Sequence, residues 1–133
     1  MTRGFLLATV AGAVTLFVVG GVLYGLLEDF FANEASRAIP IWWALGVGQL
    51  LYAAALTLVL SWRGVVSGWE GFQAGAVFGA LLGLGMALMG YATMDDVQTL
   101  ATVGGHTLIG VVNNGTAGAL IAVVLGRGGG EAA

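Results

Sequence analysis

Four runs of apolar residues, 5–27, 41–60, 72–91 and 108–125, alternate with short polar segments, and none of them contains Asp, Glu, Lys or Arg. Their lengths are close to the roughly 20 residues that carry an α-helix, rising about 1.5 Å per residue, across a hydrocarbon layer of about 30 Å. Each run therefore predicts one transmembrane helix, and the chain an all-α, polytopic membrane protein. The first run is longer than the apolar stretch of a secretion signal, and no small-x-small cleavage site follows it before Glu28, so it is expected to stay in the mature protein.

Within the third run, GFQAGAVFGALLG places glycine at every fourth position: Gly71, Gly75, Gly79 and Gly83. In water each glycine costs a helix about 1 kcal/mol relative to alanine. In lipid an unsatisfied backbone group costs several kcal/mol, so the helix is enforced and the glycines become a groove on one face. A neighbouring helix can then approach closely and gain van der Waals contact. The fourth run repeats the four-residue step at Gly110, Asn114, Gly118, Ala122 and Gly126, and the first carries Ala8 with Gly12 and Gly21 with Gly25. Gly71, Gly75, Gly79, Gly83, Gly110, Gly118 and Ala122 are thus the expected helix-packing positions, within one chain or between copies.

The two halves of the chain resemble each other. Residues 4–29 match 71–96 at Gly4/Gly71, Phe5/Phe72, Val10/Val77, Gly12/Gly79, Ala13/Ala80, Tyr24/Tyr91 and Asp29/Asp96. Residues 42–64 match 106–128 at Gly46/Gly110, Val47/Val111, Ala53/Ala117, Ala55/Ala119, Leu56/Leu120, Val59/Val123, Arg63/Arg127 and Gly64/Gly128. About three aligned positions in ten are identical, against roughly one in ten by chance for so biased a composition. The expectation is one domain over 1–128, built as a tandem 2+2 repeat of helical hairpins (4–64 and 71–128), followed by a flexible tail at 129–133. Each unit crosses the membrane twice, so the pseudo-two-fold axis should run along the membrane normal.

Symmetry suggests where chemistry would sit. Gln49 of the second span aligns with Asn113 of the fourth, both near mid-depth, where amides need partners because hydrocarbon offers none. A Gln49–Asn113 hydrogen bond assisted by Asn114 and Thr116 is the packing interpretation. A polar site on the axis, lined by the same four residues, is the functional one. At the far ends of the spans, Glu28, Asp29, Asp95, Asp96 and His106 would form an acidic outer vestibule, able to concentrate cations or hold a divalent one.

Charge changes the picture mainly through its placement. Only 8% of residues are charged, against about 25% in an ordinary soluble domain, too few to cover a soluble surface. Arg3, Arg63 and Arg127 flank the spans on one side, while Glu28, Asp29, Glu34, Asp95 and Asp96 lie in the opposite loops with Arg37. Arginines in short loops stay cytoplasmic, which puts both termini inside and predicts a multi-pass protein of a bacterial cytoplasmic membrane. Phe30, Phe31, Trp42, Trp43 and Tyr91 would anchor the outer boundary, and Phe5, Trp62, Trp69 and Phe72 the inner one.

Several activities have no residues to carry them. Cysteine is absent and histidine occurs once, which excludes thiolate chemistry and a haem held by two histidines of one chain. No ionisable side chain lies at mid-membrane, so proton-coupled antiport on a buried Glu, as in small multidrug exporters, is not expected. The serines lie in or beside loops, without a nucleophile elbow. The order LYGLLEDFF, GFQAGAVFGALLG, GVVNNGTAGAL resembles small four-span bacterial membrane proteins grouped as domain of unknown function 1761. The resemblance implies a fold and not a reaction.

The function expected from these features is non-enzymatic: a packing or accessory subunit that works as a homo-oligomer or within a larger membrane complex. The alternative is a channel or small-solute transporter with an axial polar site. Membrane lipid is the expected partner and nucleic acid is not. No cofactor is required, although Gly- and aromatic-lined grooves suit a lipid or pigment.

Overall fold

The computed structural model describes residues 3–33, 39–94 and 99–130, and among them there is no strand. In chain order the helices are α1 (Arg3–Leu26), α2 (Glu28–Phe31), α3 (Trp42–Trp62), α4 (Gly68–Thr93) and α5 (Leu100–Gly130). All but the single turn of α2 are long and apolar enough to cross a membrane.

Local chemistry sets the helix ends. The α3 helix closes in a Schellman turn: Gly64 adopts φ 65°, its N–H donates to the Ser61 carbonyl, and the Val65 N–H donates to Leu60. Three residues later Ser67 caps α4 by accepting the Glu70 N–H at 3.2 Å, the S-x-x-E signature of a helix start. The α5 helix begins at Leu100, ahead of the apolar run at 108–125. A reciprocal cap explains the extension: the Thr99 N–H donates to Thr102 Oγ1 at 2.8 Å and the Thr102 N–H to Thr99 Oγ1 at 3.2 Å.

The bundle is apolar on the outside. Leu6, Val10, Val14 and Val18 of α1 and Val77 and Leu81 of α4 project outward, whereas Ala8, Gly12, Gly71, Gly75, Gly79, Thr57, Asn113, Asn114 and Ala117 are buried. A domain in water sorts its residues the opposite way, and lipid removes the penalty on the large apolar ones. The exposed Trp42 and Trp43 begin α3 and the exposed Trp62 ends it. The 21 residues of that helix span about 30 Å, so the indoles bracket one hydrocarbon thickness.

The α5 helix is the hub, packing along α4 on one side and α1 on another, and more lightly against α3. Gly71, Gly75 and Gly79 of α4 lie directly on Gly118, Asn114 and Gly110 of α5. A Cβ on any of the three would land on a backbone carbonyl oxygen of α5: that of Gly118, Asn114 or Gly110 respectively. A Cβ at Gly71 would also come within 2.5 Å of Ala122 Cβ. At Gly83 the approach is looser, the His106 carbonyl lying 3.2 Å from a Cβ. These glycine faces therefore meet within the chain. In α1 the buried face is Ala8, Gly12, Leu16 and Gly20, while Gly21 and Gly25 have nothing within 4 Å.

Packing around the bundle is uneven. The α1 helix runs along α5, but α4 and α3, their counterparts in the aligned halves, meet over only a few residues. The matching sequences are thus set in unlike surroundings.

Candidate functional site

The termini-side half of the bundle is filled. Leu16, Leu56, Leu60 and Ile121 are fully buried there with Ala8, Ala53, Ala117 and Ala122. Small residues bring the backbones together and these four branched side chains occupy what remains. The loop-side half is hollow. A cavity of about 450 Å³ is lined by Leu16 and Tyr24 of α1, Gln49 and Tyr52 of α3, Gly79, Gly83, Met86 and Ala87 of α4, and His106, Ile109, Gly110, Asn113 and Asn114 of α5. Its space arises where small residues no longer meet large ones: Gly79, Gly83 and Gly110 give low walls, and α3 buries none of residues 41–48.

Asn113 and Asn114 set the polar floor. Neighbours in an α-helix point about 100° apart, so the two amides are directed differently, that of Asn113 toward α1. Asn113 Nδ2 donates to the Leu16 carbonyl at 3.3 Å, and a Cβ on Gly20 would come within 2.8 Å of the same nitrogen. Asn114 Nδ2 donates back along its own helix to the Gly110 carbonyl at 3.0 Å. These bonds orient both amides, because a flipped amide would press oxygen against a carbonyl oxygen. The side-chain oxygens of Asn113 and Asn114 are left without a partner among the described residues. The residues are 7% and 4% exposed, so each bare oxygen carries a desolvation cost of about 1–3 kcal/mol.

The Gln49–Asn113 hydrogen bond expected from the aligned halves is not formed. Asn113 reaches α1 instead, because α5 lies against α1 along its length while Gln49 stands across the cavity. Thr116 also departs from the expected axis. It faces outward and its hydroxyl donates to the Val112 carbonyl at 2.8 Å, which satisfies it within its own helix. Gln49, Asn113 and Asn114 do share the cavity.

At the loop end, His106 joins an aromatic cluster. Its Nδ1 is hydrogen-bonded to the Tyr24 hydroxyl at 2.9 Å, and its ring lies 4.4 Å from that of Phe31. Phe30 and Phe31 of α2 meet edge to face and rest on Gly105, where a Cβ would come within 2.7 Å of Phe30 and 2.9 Å of Phe31. The α2 turn thus lays two rings across the end of α5, beside the cavity mouth formed by Tyr24 and His106. Glu28 and Asp29 sit on the same turn, both exposed. Asp95 and Asp96 lie outside the described residues, so the second acidic pair of the expected vestibule is not placed. Among the described residues no three His, Asp or Glu come together as metal ligands.

Tyr24 and Tyr52 were missed as lining residues by reading the sequence. Tyr24 attracted attention only through its match with Tyr91, and its partner His106 is 82 residues away. Tyr52 stacks edge to face on Phe78 at 5.6 Å, one of the few places where α3 meets α4. Nothing in its neighbourhood along the chain marks it. No protein-family model matches this chain, and neither a curated protein nor a solved structure matches it.

Proposed function

We propose that this chain is a small multi-pass membrane protein that binds a small polar solute inside its bundle as one step of passage across the bilayer. The observation that carries the proposal is the cavity of about 450 Å³ whose lining, inside an apolar bundle, includes polar residues of α1, α3 and α5. Empty cavities in apolar surroundings are normally apolar, and buried polar groups normally paired. A hollow lined by Tyr24, Gln49, Tyr52, His106, Asn113 and Asn114 is not apolar, and beside it the Asn113 and Asn114 side-chain oxygens are not paired. The filled half beneath it favours a carrier open toward one side at a time over a continuously open pore. The lining calls for binding and release.

In this reading both termini are cytoplasmic, since Arg3, Arg63 and Arg127 mark the filled end, and the membrane is a bacterial cytoplasmic one. The two hairpins are copies of one duplicated unit whose packing has diverged. The likeness to domain of unknown function 1761 proteins rests on the residue patterns alone.

A packing role, as a homo-oligomer or accessory subunit, is favoured by a different observation. Gly21 and Gly25 of α1 and Gly46 and Gly48 of α3 are open on the outside of the bundle, with nothing within 4 Å. Purified full-length chain in lipid vesicles separates the readings. Passage predicts solute flux above that of empty vesicles, lost on replacing Asn113 and Asn114 with Leu. A packing subunit predicts no flux, and an assembled mass that the same replacements leave unchanged.

A further inference from the structure

We infer that the cavity is entered sideways from the bilayer, and that its guest is a single-chain amphiphile with an uncharged hydroxyl head, of the long-chain alcohol or monoacylglycerol class. The inference rests on the binding reading above and adds the guest's route and its apolar part.

Three of the four helix-helix edges around the hollow are closed. Between α4 and α5 the glycines bring backbone onto backbone, Gly79 against Gly110 and Gly83 near the His106 carbonyl. Between α5 and α1 lie the Asn113–Leu16 and Tyr24–His106 hydrogen bonds, and between α1 and α3 the ring centroids of Phe17 and Trp42 are 6.4 Å apart. The edge between α3 and α4 differs. Its contact at Tyr52 and Phe78 falls near the middle of both helices, and from there to the loop end α3 buries none of residues 41–48. Met86 shows where the gap leads, since it lines the cavity and is also 65% exposed on the outside of a membrane span. It lies seven residues, about 10 Å, short of the end of α4, at a depth where the surroundings are hydrocarbon.

A guest that fits such a site has two parts. Gln49 and Tyr52 of α3 are half-buried in the lining and can each donate and accept, which a hydroxyl matches in either role. The lining residues include no Asp, Glu, Lys or Arg, so a charged head would give up its hydration with no opposite charge to replace it. Toward the gap the wall turns apolar at Met86 and Ala87. Helical spacing continues it: Leu45 precedes Gln49 by four residues and Met89 follows Met86 by three, both exposed. An alkyl chain laid along this strip covers it while the head sits inside, in a space of the size that small molecules occupy. The filled half and the Tyr52–Phe78 contact stop the chain at mid-depth, which assigns the amphiphile to the loop-side leaflet.

The test uses full-length protein with isotope-labelled methionine methyls in phosphatidylcholine nanodiscs. Decanoylglycerol, glycerol, decane, decanoate and decyltrimethylammonium are titrated in turn. The inference expects a saturable shift of the Met86 methyl with decanoylglycerol and with none of the others, while Met94, past the end of α4, stays in place. It also expects Gln49→Leu to weaken decanoylglycerol about fivefold, as for loss of one hydrogen bond. Unchanged affinity in that variant overturns the seating of the head. A saturable shift with glycerol at the concentrations that suffice for decanoylglycerol overturns the lateral guest and leaves the binding reading standing. Decane matching decanoylglycerol overturns both, because nothing polar is then recognised. Decanoate or decyltrimethylammonium matching it overturns the uncharged head. A Met86 methyl that follows none of the probes overturns the inference, and solute flux in vesicles judges the binding reading on its own.

Discussion

One half of the bundle is sealed and the other is hollow, although the same four helices run through both. In the sealed half Gly12 faces Ile121 and Ala53, and Gly71 faces Gly118 and Ala122, so these small residues have neighbours filling their gaps. In the hollow half Gly79 and Gly83 still touch α5, but α3 brings Gln49 and Tyr52 to the rim of a cavity without closing it. Glycine content therefore does not decide whether a membrane bundle is solid. What decides is whether a branched side chain from a third helix enters the space the glycines leave. Leu56, Leu60 and Ile121 are fully buried on one side, whereas on the other α3 leaves residues 42–48 exposed.

The largest effect is expected where the two halves share one seam. Gly75→Leu drives a side chain onto the Asn114 carbonyl, and backbone cannot move aside as a side-chain tip can. The α4–α5 contact should open, at a cost of about 3 kcal/mol or more, with both halves lost together. Thermal unfolding in mild detergent reads this directly. A variant as stable as the parent would mean the seam is not what holds α4. Next in size is Leu56→Ala, which removes a fully buried plug from the sealed half and should cost about 2–4 kcal/mol. Met86→Ala trims the wall of the hollow half, where the side chain is 65% exposed, and should cost under about 1 kcal/mol. Equal losses in the two variants would erase the distinction between the halves.

A smaller effect tests complementarity inside the sealed half. Gly12→Ala places a methyl 2.5 Å from Ile121 Cδ1, the far end of a flexible side chain. The cost should be about 1 kcal/mol, and Ile121→Val, which withdraws that atom but keeps Cγ1 at 2.8 Å, should recover part of it. A double-mutant cycle with no coupling would mean the two residues do not compete for the space.

Much of this was legible in the sequence, for a physical reason. Hydropathy reports the solvent around a helix, so the four spans stood out, and the four-residue glycine step reports a helix face, so Gly71, Gly75 and Gly79 could be assigned to packing. Thr99 and Thr102 could have been read as a helix start, and were hidden only because hydropathy was the sole boundary signal. The cavity was legible in part. Gln49, Asn113 and Asn114 announced themselves as amides in apolar surroundings, but the same logic included Thr116, whose hydroxyl satisfies itself within its own helix. Alignment of the halves also paired Gln49 with Asn113. Such pairing assumes equal packing, and α5 instead gives the Asn113 amide to α1 and turns that of Asn114 back on its own helix. Contacts between residues as distant as Tyr24 and His106 leave no trace in local pattern at all.

That last pair supplies the smallest expected effect and the sharpest view of the cavity mouth. Tyr24→Phe keeps the ring that packs on Phe31 at 5.2 Å and removes only the hydroxyl hydrogen-bonded to His106 Nδ1. Stability should fall by about 0.5–1.5 kcal/mol, since His106 is half-buried and its freed nitrogen can reach water at the bundle end. His106 should nonetheless turn more freely, because Phe31 stacks on its ring without fixing its orientation about the side-chain torsions. Imidazole resonances should therefore broaden or shift in the variant while those of the Asn113 amide, two turns deeper and bonded to Leu16, stay in place. Movement of both would make the mouth and the floor one rigid unit, and the hollow half would then behave like the sealed one.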